Sequence, residues 1–219
     1  MLKPLFRALE QLDDPAIVRV LIQSLLLSAA IFVALCAAGI WGLHHLLVQT
    51  GWLSWLVGAL GGFAAVAAAL WLFLPAAVII ASLFMEPVCR AVERRWYPNL
   101  PPPHGAHLAA QLWDSAVVGL LVAALSLLSL ILALLVPGLG VLLGWAITAW
   151  ALGRGLFVAV AMRRMSRADA NALYQNHRGG VLLQGAALAL AGSIPVVNLL
   201  VPILGSACMV HVLQQRPAA

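Results

Sequence analysis

The chain has 219 residues, of which 64% are hydrophobic and 9% charged, with a mean hydropathy of +1.04 and a formal charge of +5. Soluble domains carry roughly 25% charged residues, so a water-soluble globular fold is excluded and a lipid bilayer is the implied solvent. The Lys and Arg residues are scattered between apolar runs, which argues against nucleic acid and for contact with anionic headgroups or a small anionic solute.

The chain opens with Leu2, Leu5, Phe6, Leu9 and Leu12 at helical spacing, with Lys3, Arg7 and Glu10 between them. This pattern predicts an amphipathic helix within 1–14, lying on the membrane and too polar to cross it. Glu10, Asp13 and Asp14 precede the first apolar run, and the run is longer than a signal-peptide core, so the N-terminus is expected to be retained. Asp14 and Pro15 form a helix start, an N-cap followed by a first-turn proline.

Residues 17–47 and 52–85 are predicted as two long transmembrane helices, each exceeding the roughly 20 residues a span needs. Trp41, His44 and His45 mark one interface of the pair, and Trp52 and Trp55 mark its continuation. Gly58 and Gly62 form a GxxxG pair that permits close helix contact, within the chain or in an oligomer. Pro75 is expected to kink the second helix.

Residues 86–114 form a charged, proline-punctuated connector with Glu86, Arg90, Glu93, Arg94 and Arg95, ended by Pro98 and Pro101–Pro103. An apolar run then reaches Val136, turns at Pro137-Gly138-Leu139-Gly140, and continues to Met162. This predicts a hairpin over 115–162 whose arms are long enough to cross. A polar, amphipathic segment follows over 163–180. The final apolar stretch, 181–213, is broken by Pro195, Asn198 and Pro202.

Lys and Arg fall at the N-terminus, in the connector, after Met162 and at Arg216. The positive-inside rule places all of these in the cytoplasm, with both termini. The last stretch must then leave and return. Each arm, of about 15 residues, reaches only about 22 Å against a hydrocarbon core of about 30 Å. A re-entrant hairpin turning near 194–198 is therefore favoured over a single kinked span. Asn198 can cap its returning arm.

Arg154 is the one charge well inside an apolar run, eight residues before Met162 and so about 12 Å from that membrane edge. It cannot neutralise itself by losing a proton. It is read either as snorkelling or pairing with Asp114 or Glu86, or as an anion-binding group facing a wet interior. Gly153 and Gly155 beside it leave room for another backbone or a solute. Arg19, at the start of the first long helix, is the weaker anion candidate.

Cys36, Cys89 and Cys208 are far apart and read as packing residues. His104 and His107 lie in a Pro-rich loop without other ligands, so no metal or cofactor is expected. Ser126 and Ser129 have no histidine near them in sequence, and no paired intramembrane acids occur. The chain is therefore not read as an enzyme.

Several stretches together resemble the CysZ-like sulfate permeases and their etoposide-induced-protein-2.4-like relatives. IPVVNLLVPILGSA (194–207) resembles the family's C-terminal signature, and PGLGVLLGWAITAWALGR (137–154) its central hairpin. LFRALEQLDDPAIVR (5–19) and FMEPVCRAVERRWYP (84–98) are similar to its approach to the first span and its connector. The resemblance implies an all-α integral membrane protein: two long transmembrane helices, two partly penetrating or re-entrant helical hairpins and amphipathic interfacial helices. It also implies sulfate uptake across a bacterial inner membrane for cysteine synthesis. With no ATP-binding motif, transport is expected to be passive or driven by an ion gradient. Ala16, Ile17 and Val18 stand where sulfate-handling members carry a glycine-leucine-arginine anion motif, with Arg19 next to them. ALGRGLF (151–157) stands where they have an acidic, tyrosine-containing stretch. A non-transporting membrane scaffold is the alternative. Thin walls built from partial hairpins imply a homo-oligomer.

Overall fold

The computed structural model describes residues 3–11, 13–47, 62–63, 84–104, 108–198 and 200–214. Its regular elements there are helices: α1 (Lys3–Glu10), α2 (Pro15–Leu47), α3 (84–96), α4 (Leu108–Leu135), α5 (Pro137–Ala161), α6 (Arg167–Gly192), α7 (Pro195–Asn198) and α8 (Val201–Gln214). Two compact units divide the chain, one made of Met1–Val18 with Pro87–Ala219, the other of Arg19–Glu86.

In the second unit, α2 supplies a 28-residue apolar window, Pro15–Gly42, only 6% buried. Leu26, Val33 and Trp41 are exposed along it, as expected of a lipid-facing span. The predicted helix over 52–85, with Gly58 and Pro75, lies outside the described residues except at its end and at Gly62–Phe63. Gly62 is helical there, and open space surrounds the position its Cβ would take.

Prolines open the helices. Pro15 and Pro137 are the first residues of α2 and α5, Pro195 starts α7, and Pro202 is the second residue of α8. A missing N–H costs nothing in a first helical turn, because that donor has no intrahelical acceptor. The Asp14 carboxylate accepts from the Ala16 N–H at 2.9 Å, giving α2 its expected cap. Ser166 caps α6 by accepting from the Asp169 N–H at 3.2 Å.

α4 and α5 form an antiparallel hairpin. The Ser129 hydroxyl donates to the Gly140 carbonyl at 2.8 Å, and Gly140 lies against Ala133 so closely that a Cβ there would overlap it. The reversal falls at Val136, just before the stretch read as the turn: Pro137, Gly138 and Gly140 form the first turn of α5 rather than a connector, because the proline fixes a helical start. Helix α4 begins at Leu108, several residues inside the stretch read as connector, and so includes Asp114. Windows of 27 residues in α4 and 24 in α5 are long and apolar enough to cross a membrane.

α6 is one 26-residue helix, so the predicted amphipathic segment 163–180 and the first arm of 181–213 are continuous from Arg167. It packs antiparallel on α5 through two glycines. A Cβ on Gly185 would overlap the Ala149 carbonyl oxygen, and one on Gly153 would sit 2.7 Å from that of Val181. Gly153 thus makes room for a backbone. Gly155 faces open space.

The last stretch breaks rather than continuing as one rod. Ser193 and Ile194 N–H groups return to the carbonyls of Leu190 and Ala191 at 3.1 Å each, so the carbonyls freed near Pro195 are satisfied by a tightened turn. Helix α8 then runs back along α6. Val201 lies near Gly192, Gly205 near Leu188, and the Cys208 thiol donates to Gln184 Oε1 at 3.4 Å. The returning arm is capped differently from the expectation. The Leu200 carbonyl accepts the first bond, from Leu204 at 2.8 Å, and the Asn198 side chain makes no hydrogen bond among the described residues. With α8 starting two residues beyond it, Asn198 ends α7 and is too early to cap.

Helix α8 is buried on all sides at Val201 and from Ile203 to Val212, and it packs on α1, α5 and α6. Such a uniformly apolar, uniformly buried helix is the core of its unit. α1 turns Pro4 and Ala8 inward and leaves Phe6 and Leu9 exposed, the disposition of a helix with one face on protein and one on lipid.

Gly185→Leu should therefore lower the detergent melting temperature sharply, through overpacking that costs about 3 kcal/mol. Gly179→Ala, at an open position on the same helix, should instead raise it by the equivalent of about 0.5–1 kcal/mol. Paired thermal melts of the two variants check the α5–α6 contact.

Candidate functional site

The polar interior is built where α5 ends and α6 begins. Arg154, on the last two turns of α5, places its terminal nitrogens 3.1 and 3.2 Å from the two oxygens of Asp114 on α4. The same guanidinium donates to Asn171 Oδ1 at 2.7 Å. Arg167, at the start of α6, donates its Nε–H to Asp114 at 2.8 Å. Asn171 lies one turn beyond Arg167 and donates its own amide to the Arg167 carbonyl at 2.8 Å, which fixes which side of the amide faces Arg154. The Asp114 and Arg154 side chains are 9% and 11% exposed, whereas that of Arg167 is 38% exposed. The first two are therefore tightly held and the third is the looser partner.

Of the two sequence readings of Arg154, pairing with Asp114 is what the geometry contains. Arg154 is a charged group held by a bidentate acid and an amide. Arg19 is exposed on α2 and has no ion pair among the described residues.

A second cluster lies one turn away in sequence. Arg163 donates to Glu93 of α3 at 2.7 Å, and Arg164 approaches the same carboxylate at 3.0 Å. Arg164 also donates to the Pro101 carbonyl at 2.5 Å, tying the proline loop to the α5–α6 turn. Arg163 and Glu93 are both buried. Each cluster sets two guanidiniums on one carboxylate, and the Asp114 cluster keeps one net positive charge. The residues that sequence reasoning missed are Asn171, Glu93 and the inward roles of Arg163, Arg164 and Arg167. A helix-like charge run reads as a solvated face, and only the tertiary partners reveal otherwise.

Beside α2's first turn, Asp14, Ala16, Ala91, Arg94 and Arg95 line a concavity of about 250 Å³. Arg95 approaches Asp14 at 3.8 Å. These arginines come from α3, whereas the resemblance places the family's anion motif on the approach to the first span.

His211, outside the three long apolar windows, is fully buried near the end of α8. It shares a 3.0 Å hydrogen bond with the Tyr97 hydroxyl and meets the Trp96 ring edge-on, while Arg7 sits 5.3 Å above that ring. Burial, with the nearby Arg7 charge, pushes His211 down to about 4.

Together these features define an all-α, multi-pass membrane protein with a buried, ion-paired polar site. Its family follows from comparison with known proteins: the chain belongs to the family described as sulfate transporter CysZ/etoposide-induced protein 2.4, whose model matches residues 4–202. No curated protein and no solved structure matches the chain. The family is of the transporter type, as the resemblance implied.

Two outcomes are expected. Asp114→Ala leaves Arg154 buried without its acid and should cost about 3–5 kcal/mol; adding Arg154→Ala should restore much of that loss in the same melting assay. His211 takes up its proton less readily folded than unfolded, so stability should fall as pH drops from about 6.5 to about 4 and fall no further from this group below that. The difference in melting temperature between the wild type and His211→Phe, followed across that range, isolates the effect.

Proposed function

We propose that the protein carries a small inorganic oxyanion, sulfate first, across the inner membrane of a bacterium, feeding cysteine synthesis. Both termini face the cytoplasm, and movement is passive or coupled to an ion gradient. Arg154 is the group that meets the anion. Family membership supports this reading, and one observation carries it: a largely enclosed, ion-paired guanidinium on a membrane-length helix, in a cluster with net positive charge.

In the proposed mechanism the anion competes with Asp114 and Asn171 for the Arg154 nitrogens. Arg167 keeps Asp114 paired while Arg154 is engaged elsewhere, so no charge is left bare in apolar surroundings. Open space at Gly155, next to Arg154, gives the solute an approach free of steric cost. The α8 arm, about 21 Å long, enters the roughly 30 Å hydrocarbon core without crossing it.

A specific observation favours a second reading, a non-transporting scaffold of the same fold. Arg154 is already satisfied by a bidentate carboxylate and an amide. Purified protein in liposomes separates the two. Transport predicts labelled sulfate uptake above that of empty vesicles, with at least a tenfold loss in Arg154→Gln, equivalent to about 1.4 kcal/mol. Uptake no greater than in empty vesicles from correctly folded wild type rejects it in favour of the scaffold. Reporter fusions after Gly140 and after Ala219 test the topology, with the first expected outside and the second in the cytoplasm.

A further inference from the structure

Away from the Asp114 cluster, the connector forms a cavity of about 380 Å³. One wall carries Arg90, Arg94 and Arg164. The other is Tyr97, Leu100 and the prolines of 98–103. We infer that this cavity binds a phosphate ester, its oxyanion on the arginines and its attached polar group against the tyrosine and prolines.

The charge comes first. Glu93 is the cavity's one acidic wall residue, and it is already bound by both Arg163 and Arg164. Arg90 and Arg94 lie one helical turn apart on the exposed side of α3, whose other side buries Val88, Cys89 and Val92; Arg90 already has a partner, so Arg94 supplies the open donors. Helix residues four apart share a face. The Arg94 Nε donates to the Arg90 carbonyl at 3.3 Å, which steers its side chain along that face, and its two terminal nitrogens have no partner among the described residues. A planar pair of free N–H donors beside further fixed cations matches two oxygens of a tetrahedral oxyanion.

The walls do not move to meet the ligand. Arg164 is held by Glu93 and the Pro101 carbonyl, and Tyr97 by His211. The proline run is conformationally stiff. Little ordering entropy is then lost on binding.

Size selects the ester over the bare ion. A water molecule occupies about 30 Å³ in the liquid, so the cavity holds the equivalent of about a dozen. That leaves room for a substituent beyond the oxyanion, and the uncharged wall suits one that is itself uncharged.

The same chemistry is offered by the headgroup of an anionic phospholipid and by a soluble phosphate ester. Glycerol 3-phosphate, titrated against purified protein in a zwitterionic detergent, reports the soluble form through the melting temperature. Phosphatidylglycerol added to phosphatidylcholine nanodiscs, read by native mass spectrometry, reports the lipid. Either probe is expected to bind saturably and more weakly as salt rises. Arg90→Gln/Arg94→Gln should weaken binding at least tenfold, the scale of one lost charge-assisted contact. Arg94→Lys keeps the charge without the fork and should recover only part. Binding in the nanodisc arm alone assigns the site to lipid; binding of glycerol 3-phosphate assigns it to soluble esters. No saturable binding of either probe, or equal binding by the folded double variant, overturns the inference. Sulfate flux does not enter the readout, so this test and that of transport fail independently.

Discussion

Two carboxylates, each gripping two arginines, hold the α5–α6 turn in place. Asp114 brings α4 to Arg154 and Arg167; Glu93 brings α3 to Arg163 and Arg164. The chain has seven acidic residues in all, so spending two of them at one turn is a concentrated use of negative charge. Burial makes these contacts demanding. An isolated ion in an apolar interior costs several kcal/mol, and a well-aligned partner offsets that cost without producing a large surplus. The clusters therefore specify geometry more than they add stability: any arrangement of α3, α4, α5 and α6 that parts an arginine from its acid is penalised.

Around that fixed turn, the apolar helices need another source of cohesion. Lipid tails are as apolar as leucine, so burial against lipid gives no hydrophobic drive between helices. Close backbone approach supplies dispersion contacts in its place. Gly153 and Gly185 bring α5 and α6 within the reach of a single missing methyl group, and Gly140 does the same at the start of the α4–α5 hairpin. Helix α4 exposes Leu120, Leu127, Leu134 and Leu135. Helix α8 spends almost every side chain inward. The division into lipid-facing and protein-facing helices is set by which of them carry glycines at the contacts and which are enclosed.

Much of this architecture is legible in the sequence, because proline and composition act locally. Hydropathy marks the helices; prolines in the first turns mark where α2, α5, α7 and α8 begin, while α4 and α6 start without one. The broken C-terminal stretch reads as a hairpin from its prolines and the charge map, and Gly192 lies near Val201 and Gln184 meets Cys208 across its two arms; the first arm is the end of the 26-residue α6 rather than the 15 residues of the length argument. Asn198 misleads for a local reason: the short α7 occupies the residues between the break and the returning arm, so the residue with a capping side chain falls before the cap position. The charged positions are legible only in part. Arg154 stands out because nothing nearby in sequence shares its polarity. Asn171, by contrast, is an ordinary polar residue in an ordinary polar run, and its role exists only once α5 and α6 are antiparallel. Gly153 and Gly155 look alike in sequence, but the 100° turn per residue of a helix sends one toward α6 and the other toward open space.

The proposed anion chemistry draws on the excess of arginine over acid at this turn. A one-to-one buried ion pair is closed: separating it exposes two charges, and an incoming anion must cover the cation while the released carboxylate goes uncovered. With two arginines on one carboxylate, the second keeps the acid neutralised when the first turns to a solute. Arg167, more exposed than Arg154, is the partner better able to follow Asp114 through such an exchange, because its side chain is the less confined by packing. Asn171 completes the arrangement. Its oxygen holds Arg154 through a neutral contact weaker than the carboxylate's, so surrendering it to a charged oxyanion is favourable. On the transport reading proposed above, such a site binds reversibly, as a permeating ion requires: Arg154 draws the anion out of water and Asp114 lets it leave.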